Sequence, residues 1–190
     1  MIEAVADKGY VKTTVGDVLA RAGVSRATFY EQFDDKADCF RATYSYVTGM
    51  LGQVMEAAVR TVTDDATVSD PIARIDTLVG WYLDLLAQSP SLAKVFLVEV
   101  YATGPLGIEQ RRATIDAFVE LIISLLADTP FSGTASEQHF TIRALVTSLV
   151  ALATEAVATG EIDRVAELRA PFRMLVARVF DPPGVDGPTR

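Results

Sequence analysis

The sequence contains few of the residues on which enzymatic and metal chemistry usually depend. His139 is its one histidine and Cys39 its one cysteine. A common metal site, or a Ser-His-acid triad with a spare base, therefore cannot be assembled. Glycine-rich phosphate loops are also missing, and the acidic residues are scattered at helical spacing. We predict no catalytic residue, no metal site and no cofactor, and a protein that is not an enzyme.

Long hydrophobic runs are missing as well. No run approaches the length of about eighteen apolar residues that marks a membrane-spanning helix, and the longest stretch without charge, Ala42 to Met55, contains two glycines. No secretory signal is recognisable. The lone Cys39 cannot form an intramolecular disulfide and is interpreted as a small buried apolar side chain. These features predict a cytoplasmic location and no membrane partner.

Charged residues are sparse and unevenly distributed. Half of the chain is hydrophobic and 22% is charged, with a net charge of -8. That apolar content exceeds what the core of a monomer needs, so part of it is expected in a subunit interface or a cavity. Residues 1–45 hold six basic and seven acidic side chains, and the remainder holds eleven and eighteen. The N-terminal segment is therefore nearly neutral, which argues against strong non-specific binding to nucleic acid.

Residues 13–33 predict two short helices joined by a tight turn. Thr14 and Asp17 have the spacing of a capping box, Gly23 can end the first helix in a left-handed conformation, and Ser25 can cap the second. Apolar residues at helical spacing give the two helices one small shared core; they are Val15, Val18, Leu19, Ala22, Val24, Phe29 and Phe33.

The second helix of this unit has a face typical of a contact surface. Arg26, Ala27, Thr28, Tyr30 and Gln32 remain outside the core, and they are small, hydroxylated or hydrogen-bonding groups. In a helix-turn-helix the second helix lies in the major groove, with phosphate contacts that position it and base contacts that specify the sequence. A generic pair of helices joined at a glycine is the alternative.

The segment from Ala4 to Phe40 resembles the DNA-binding domain of the TetR family of transcriptional repressors. The most specific parts are GY at Gly9 and Tyr10, AGVS at the turn, TFYEQF on the second helix, and Lys36. The resemblance implies that Thr14, Tyr30 and Lys36 hold phosphates while Arg26, Ala27 and Thr28 approach base edges. Gln32 stands where relatives often have histidine. The predicted DNA-binding residues are Thr14, Ser25, Arg26, Ala27, Thr28, Tyr30, Gln32 and Lys36.

Beyond this unit the pattern is helical throughout, without strand-like alternation. We predict an all-α fold of about nine helices, with an N-terminal helix-turn-helix three-helix domain (residues 1–45) and a C-terminal helical ligand-binding and dimerisation domain (residues 46–180). The first helix looks truncated relative to the family. Asp34 or Asp35 should cap a long helix from about Lys36 to Thr63. The last helix should run from about Asp163 to Phe180 with Pro171 kinking or restarting it, and residues 181–190 should be disordered.

Two sets of C-terminal residues indicate further sites. Apolar stripes on the last two long helices predict a homodimer interface, with an ordinary intramolecular core as the alternative; the residues are Leu145, Leu149, Leu152, Phe172, Leu175 and Val179. An aromatic set predicts a cavity for a small hydrophobic or amphipathic effector, with a packed core as the alternative; these residues are Tyr46, Trp81, Tyr82, Phe96, Tyr101 and Phe118.

These interpretations combine into one functional hypothesis. We expect a ligand-responsive DNA-binding regulator, a repressor that occupies a palindromic operator in double-stranded DNA until a small molecule binds; the inducer step comes from the family resemblance. The alternative is a small-molecule sensor or binding protein whose DNA binding is weak or lost, which the neutral N-terminal segment favours. His139 is expected on a helix surface or an interface.

Overall fold

The computed structural model describes residues 1–64, 70–129, 131 and 133–180, and the side chains of all of these except 62–64. These residues form α-helices and one short 3₁₀-helix, without a strand among them, so the all-α prediction is confirmed. The elements are α1 (Ile2–Lys8), α2 (Val15–Ala22), α3 (Arg26–Gln32), α4 (Lys36–Asp64), α5 (Pro71–Gln88), α6 (Pro90–Leu97), the 3₁₀-helix (Glu99–Thr103), α7 (Pro105–Leu125), α8 (Ala135–Ala158), α9 (Asp163–Glu167) and α10 (Arg169–Phe180).

The first three helices form where the local capping signals predict. Thr14 and Asp17 make a complete capping box at the start of α2. Gly23 ends α2 with φ 66°, a left-handed conformation that glycine adopts without a steric cost. The Ser25 side chain then accepts a hydrogen bond from the Thr28 amide and caps α3. These contacts confirm the predicted helix-turn-helix.

Helix α4 carries the chain from this unit into the rest of the protein. Its start is capped by Asp35, whose carboxylate accepts the Asp38 amide at 2.8 Å. The apolar face of α4 buries Phe40, Tyr44, Leu51 and Met55. Because α4 is continuous through residue 45, the predicted domain boundary lies inside a helix; the division into domains stays a prediction.

The C-terminal helices pack around one large apolar core, with two departures from the predicted boundaries. Helix α6 ends at Leu97, and the chain continues as the 3₁₀-helix before α7. Gly107 makes this junction possible, since a Cβ there would lie 1.9 Å from the carbonyl oxygen of Val100. The predicted last helix is divided at Leu168 into α9 and α10, so Pro171 lies in the first turn of α10, where proline is tolerated. The loop at residues 65–69 and the predicted disordered tail, 181–190, lie outside the described residues.

Helix α8 is apolar without being deeply buried. By length and composition, it alone among the described helices could cross a membrane, and only 28% of its most apolar window is buried inside the chain. The core helix of a soluble protein passes the same test. Helix α8 therefore has an apolar surface that its own chain does not cover.

Candidate DNA-binding surface and ligand cavity

The helix-turn-helix is held together by a small separate core. Ala4, Val18, Phe29 and Cys39 are its buried members, and burial raises the pKa of the Cys39 thiol. This agrees with the interpretation of Cys39 as a buried apolar side chain. Val24, expected in the corner of this core, is 41% exposed.

The predicted contact face of α3 is open to solvent. Phe29 points into the core, while the predicted DNA-binding residues of this helix and its cap are exposed; they are Ser25, Arg26, Ala27, Thr28, Tyr30 and Gln32. The Ser25 and Thr28 hydroxyls lie 3.0 Å apart and share a hydrogen bond. Helix α3 therefore presents hydrogen-bonding groups on an ordered backbone, the geometry that docking in a groove requires.

Two of the predicted phosphate ligands have intramolecular partners. The Thr14 hydroxyl donates to the Asp17 carboxylate at 2.7 Å. Hydrogen bonds from Lys8 and from Thr14 hold the pKa of that carboxyl below its usual range. The Lys36 ammonium donates to the carbonyl oxygens of Tyr10 and Thr13, both at 2.8 Å, and lies 4.3 Å from the centre of the Tyr10 ring. Lys36 thus joins α4 to the turn before α2, with one N–H left for another acceptor.

Three of the six basic side chains in residues 1–45 form ion pairs within the chain. Lys8 pairs with Asp17, Arg21 with Glu3 and Asp7, and Arg41 with Asp38. In the part of the chain that the structure describes, Lys12 and Arg26 are exposed and form no ion pair. Arg26 begins α3, and Lys12 lies in the turn just before the Thr14 cap.

Lys12 is a candidate phosphate ligand that sequence reasoning missed. The sequence shows a lysine two residues before a helix cap. It cannot show that this lysine is without an ion pair, because that depends on which acidic residues pair with the other lysines. The DNA contacts of all these residues stay predictions.

Three polar contacts fix the helix-turn-helix on the rest of the chain. Besides Lys36, the Tyr10 amide donates to Glu99 Oε2 at 2.7 Å, and Lys94 Nζ donates to the Ala6 carbonyl at 2.6 Å. An aromatic series runs beside them, from Tyr10 to Phe40 (5.0 Å between ring centres), to Tyr44 (6.3 Å) and to Phe96 (5.4 Å). A movement of α6 or the 3₁₀-helix would therefore also displace α1 and the turn before α2.

An apolar cavity lies between α5, α7, α8 and α10. Its volume is about 70 Å³, and its lining is almost entirely hydrocarbon. The space is less than half of the ~150 Å³ that holds a benzene molecule in a protein interior. A second space, an open groove of about 350 Å³, lies between α4 and α7. Phe118 and Leu121 line both spaces, so these side chains stand between the cavity and the groove.

The structure separates the six predicted ligand-binding aromatics into three groups. Tyr82 and Phe118 line the cavity, with their ring centres 5.7 Å apart. Phe96 is buried but stacks on Tyr44 outside the cavity. Tyr46, Trp81 and Tyr101 are exposed on the surface. The rest of the cavity wall is mostly aliphatic, a set that sequence reasoning could not distinguish from ordinary core.

The predicted dimer stripe is also divided. Leu145, Leu149 and Phe172 line the cavity inside one protomer, which corresponds to the intramolecular alternative, since α8 turns these positions towards α5 and α10. Leu152 and Leu175 are 47% and 43% exposed, and Val179 is half-buried. The uncovered apolar surface of α8 and α10 includes Phe140, Ala144, Ala151, Leu152, Met174 and Leu175.

The one histidine has no place in these sites. His139 is on the surface of α8, with Nε2 3.6 Å from Glu120 Oε1, which agrees with its interpretation as a surface residue. Arg111 of α7 is the unexpected feature of the interior, because its side chain is 1% exposed.

Comparison with known proteins gives the family of the N-terminal unit and the fold of the whole chain. Residues 2–43 match the family model described as bacterial regulatory proteins, tetR family. A curated relative, the HTH-type transcriptional activator FasR of Mycolicibacterium smegmatis, is 22% identical over 125 residues, which are 66% of this chain and 54% of that protein. The chain therefore spans about half the length of this curated relative.

Two solved structures share the fold along almost the whole chain. The fatty acid degradation regulator FadR from Bacillus halodurans superposes with a TM-score of 0.76 at 19% identity, covering 92% of this chain and 89% of its own. FadR from Bacillus subtilis, solved in complex with stearoyl-CoA, has a TM-score of 0.74 at 16% identity and covers 96% and 95%. Both proteins are named as regulators, and FasR is named as a transcriptional activator.

Proposed function

We propose that the chain, whose residues 2–43 match the tetR family of bacterial regulatory proteins, is a homodimeric repressor released from a palindromic operator by an amphipathic acyl compound. Its role as a DNA-binding transcription regulator follows from the family. The sign of regulation, the effector and the dimer are the proposed part. One observation carries the proposal: an ordered, exposed recognition helix is joined through α4, α6 and the 3₁₀-helix to a core that has an unfilled apolar cavity.

The chemistry of the cavity favours a ligand with a hydrocarbon chain. Aliphatic and aromatic side chains cannot orient a polar molecule, but they match an acyl chain at every point along its length. The Bacillus subtilis relative was solved with stearoyl-CoA, a compound of this class. The cavity of about 70 Å³ is too small for such a chain, so binding would have to separate α7 from its neighbours. That displacement is the step that could reach the DNA-binding unit.

The aromatic series and the Glu99 and Lys94 contacts support a direct route for this signal. Glu99 and Lys94 hold the backbone of α1 and of the following turn, and α7 begins immediately after the 3₁₀-helix that contains Glu99. If α7 moves outward, the 3₁₀-helix should move with it, because Gly107 of α7 packs directly against the Val100 carbonyl of the 3₁₀-helix. The angle between the recognition helix and the rest of the subunit would then change.

The uncovered apolar surface of α8 and α10 supports the homodimer. A palindromic operator has two half-sites, and a two-fold dimer spaces two recognition helices to match them. Exposed apolar side chains on two adjacent helices can form a four-helix bundle with the same surface of a second copy. The small residues Ala144 and Ala151 would allow close approach of the paired α8 helices.

The test is operator binding with and without an acyl ligand. A labelled fragment from upstream of the protein's own gene or an adjacent gene is titrated by fluorescence anisotropy, and the titration is repeated with stearoyl-CoA and with free coenzyme A as the matched control. We expect specific binding that stearoyl-CoA weakens and free coenzyme A leaves unchanged. Tighter operator binding with the ligand would indicate the opposite sign of regulation. We include this outcome because the relative FasR is named an activator.

A second function is favoured by the charge distribution. Of the six basic side chains in residues 1–45, three form ion pairs within the described structure and Lys36 donates to two backbone carbonyls, so phosphate attraction should be weak. A chain that binds acyl ligands but no DNA fragment in the same titrations would act as a small-molecule sensor instead.

A further inference from the structure

Arg111 is a buried cation without an anionic partner among the described residues. Its side chain is 1% exposed, and none of its three guanidinium nitrogens forms a hydrogen bond of ordinary geometry with a described residue. The Tyr82 hydroxyl is likewise buried without a hydrogen bond of ordinary geometry, and the Arg111 guanidinium lies beside it. Buried arginines are normally paired and hydrogen-bonded, because an isolated buried charge loses its hydration without compensation. The structure thus contains two adjacent polar groups that still need a partner.

The residues around Arg111 are aromatic and neutral. The guanidinium carbon lies 4.8 Å from the centre of the Phe96 ring. The side chains of Tyr82, Tyr44 and Tyr101 are near enough to affect the pKa of Arg111. Burial opposes the charged form, but contacts with the Tyr82 and Tyr44 side chains, including a hydrogen bond with Tyr44, favour it, and the pKa of Arg111 lies above its ordinary value. Burial raises the pKa of the Tyr82 phenol, so Tyr82 stays neutral. The group is a fixed positive charge with five N–H donors and no anion.

Arg111 lines neither of the two empty spaces, but three aromatic side chains around it do. Tyr82 lines the apolar cavity, Tyr44 lines the groove between α4 and α7, and Phe118 lines both. Arg111 is on α7 between Gln110 of the groove wall and Phe118. A ligand whose chain entered the cavity past Phe118 would leave its polar end near Tyr82 and the guanidinium.

We infer that Arg111 and the Tyr82 hydroxyl form the subsite for the carboxylate of an apolar acid whose hydrocarbon chain fills the cavity. A carboxylate is planar, matches the guanidinium fork with two parallel hydrogen bonds, and supplies the missing negative charge. It can also accept from the Tyr82 hydroxyl. A thioester carbonyl is neutral and would leave the charge uncompensated, so the free acid, rather than its coenzyme A ester, is the preferred ligand. This inference rests on the proposed function of the cavity and specifies its ligand.

Three ligands of equal chain length test the choice of head group on the full chain. Binding of dodecanoic acid, methyl dodecanoate and dodecanoyl-CoA is measured by isothermal titration calorimetry below their micelle concentrations. The acid should bind at least about tenfold more tightly than either ester, because only the acid completes the buried charge pair. Equal affinities, or tighter binding of the thioester, would overturn the inference and leave the proposed acyl-responsive function standing. Failure of all three to bind would overturn both.

Substitution of Arg111 separates a ligand subsite from a structural role. Arg111→Met removes the unpaired charge and keeps most of the volume, so without ligand the melting temperature should stay equal or rise. Its affinity for dodecanoic acid should fall by about tenfold or more, to that of the methyl ester. Arg111→Lys, which keeps the charge and loses the fork, should fall between the two.

Arg112→Met is the matched control, because Arg112 is the adjacent residue, is exposed, and pairs with Asp116 at 3.7 Å. It should leave the affinity for the acid unchanged. A structural role for Arg111 predicts the opposite pattern, a lower melting temperature with unchanged preference for the acid over the ester. If Arg111→Met does not fold, the ligand series on the unmodified chain and on Arg111→Lys still decides the question.

Discussion

The helix-turn-helix and the interior of the C-terminal helices differ in how fully their polar groups are paired and in how much open space they contain. In the former, α2 and α3 are capped by side chains, four buried residues form a small core, and three of the six basic side chains form ion pairs. In the latter, a cavity of about 70 Å³ remains open, and Arg111 and Tyr82 have no hydrogen bond of ordinary geometry among described residues. A fully satisfied unit is rigid, whereas an incomplete one can be completed by a ligand. The difference favours recognition in the first region and response in the second.

The largest effect should come from a charge placed on the inner side of α8. Leu149→Glu would bury an unpaired carboxylate in the cavity wall and cost about 3 to 5 kcal/mol of unfolding free energy, which is close to the whole stability of many domains. Urea denaturation followed by circular dichroism measures this change. We expect a protein that is unfolded or molten.

Leu152→Glu is the matched variant, three residues along the same helix and 47% exposed. It should change the protomer's unfolding free energy by less than about 0.5 kcal/mol while breaking the dimer at its two-fold interface. Multi-angle light scattering reads out the mass. A helical monomer is the expected product, and a stable dimer would place the interface on another surface.

The next effect concerns the exposed face of α3. Arg26→Ala should cost about 1 to 3 kcal/mol of operator binding and relax the preference at particular base pairs. Arg60→Ala is the control, because Arg60 is an exposed arginine on α4 roughly 36 Å along the helix from Lys36. Anisotropy titrations against a set of single-base operator variants measure both. Equal losses for the two substitutions would mean that Arg26 contributes only general charge.

A smaller effect should come from filling the cavity. Val150→Ile adds one methylene to the cavity lining and should stabilise the ligand-free protein by up to about 0.8 kcal/mol while weakening the binding of acyl ligands. Val165→Ile makes the same chemical change at a fully buried site outside the cavity, where overpacking should destabilise by about 1 to 3 kcal/mol. Differential scanning calorimetry compares them. If both variants melt below the parent, the space at Val150 is already filled.

The same two regions explain how much the sequence could predict. Thr14, Asp17, Gly23 and Ser25 act through residues two to four positions away, so local rules placed α2 and α3 correctly. The orientation of α8 is decided by packing between segments far apart in the chain, and helical spacing alone could not tell which of its apolar sides faces inward. For this reason Leu149 was assigned to an interface although it lies in the core.

Charge partners were unpredictable for the same reason. Arg111 and Arg112 are neighbours with identical side chains, yet one is buried and the other is exposed and paired with Asp116. Likewise, Asp17 pairs with Lys8, while Lys12 forms no ion pair within the described structure. Long-range contacts therefore determined which basic residues are available for a function, and local pattern determined only that basic residues were present.

The smallest predicted effect concerns the contact that joins the two regions. Glu99→Gln keeps the shape of the side chain but replaces a charged acceptor of the Tyr10 amide with a neutral one. The hydrogen bond between the two residues should therefore weaken but still form. The change in operator affinity caused by an acyl ligand should then shrink by about 0.5 kcal/mol, while operator affinity without ligand should change less. Glu109→Gln, at an exposed site on α7, controls for the lost charge. Anisotropy titrations with and without dodecanoic acid give the four affinities needed. If the ligand effect is the same in both variants and in the parent, the signal does not pass through the 3₁₀-helix, and the aromatic series from Phe96 to Tyr10 is left as the route between ligand and DNA.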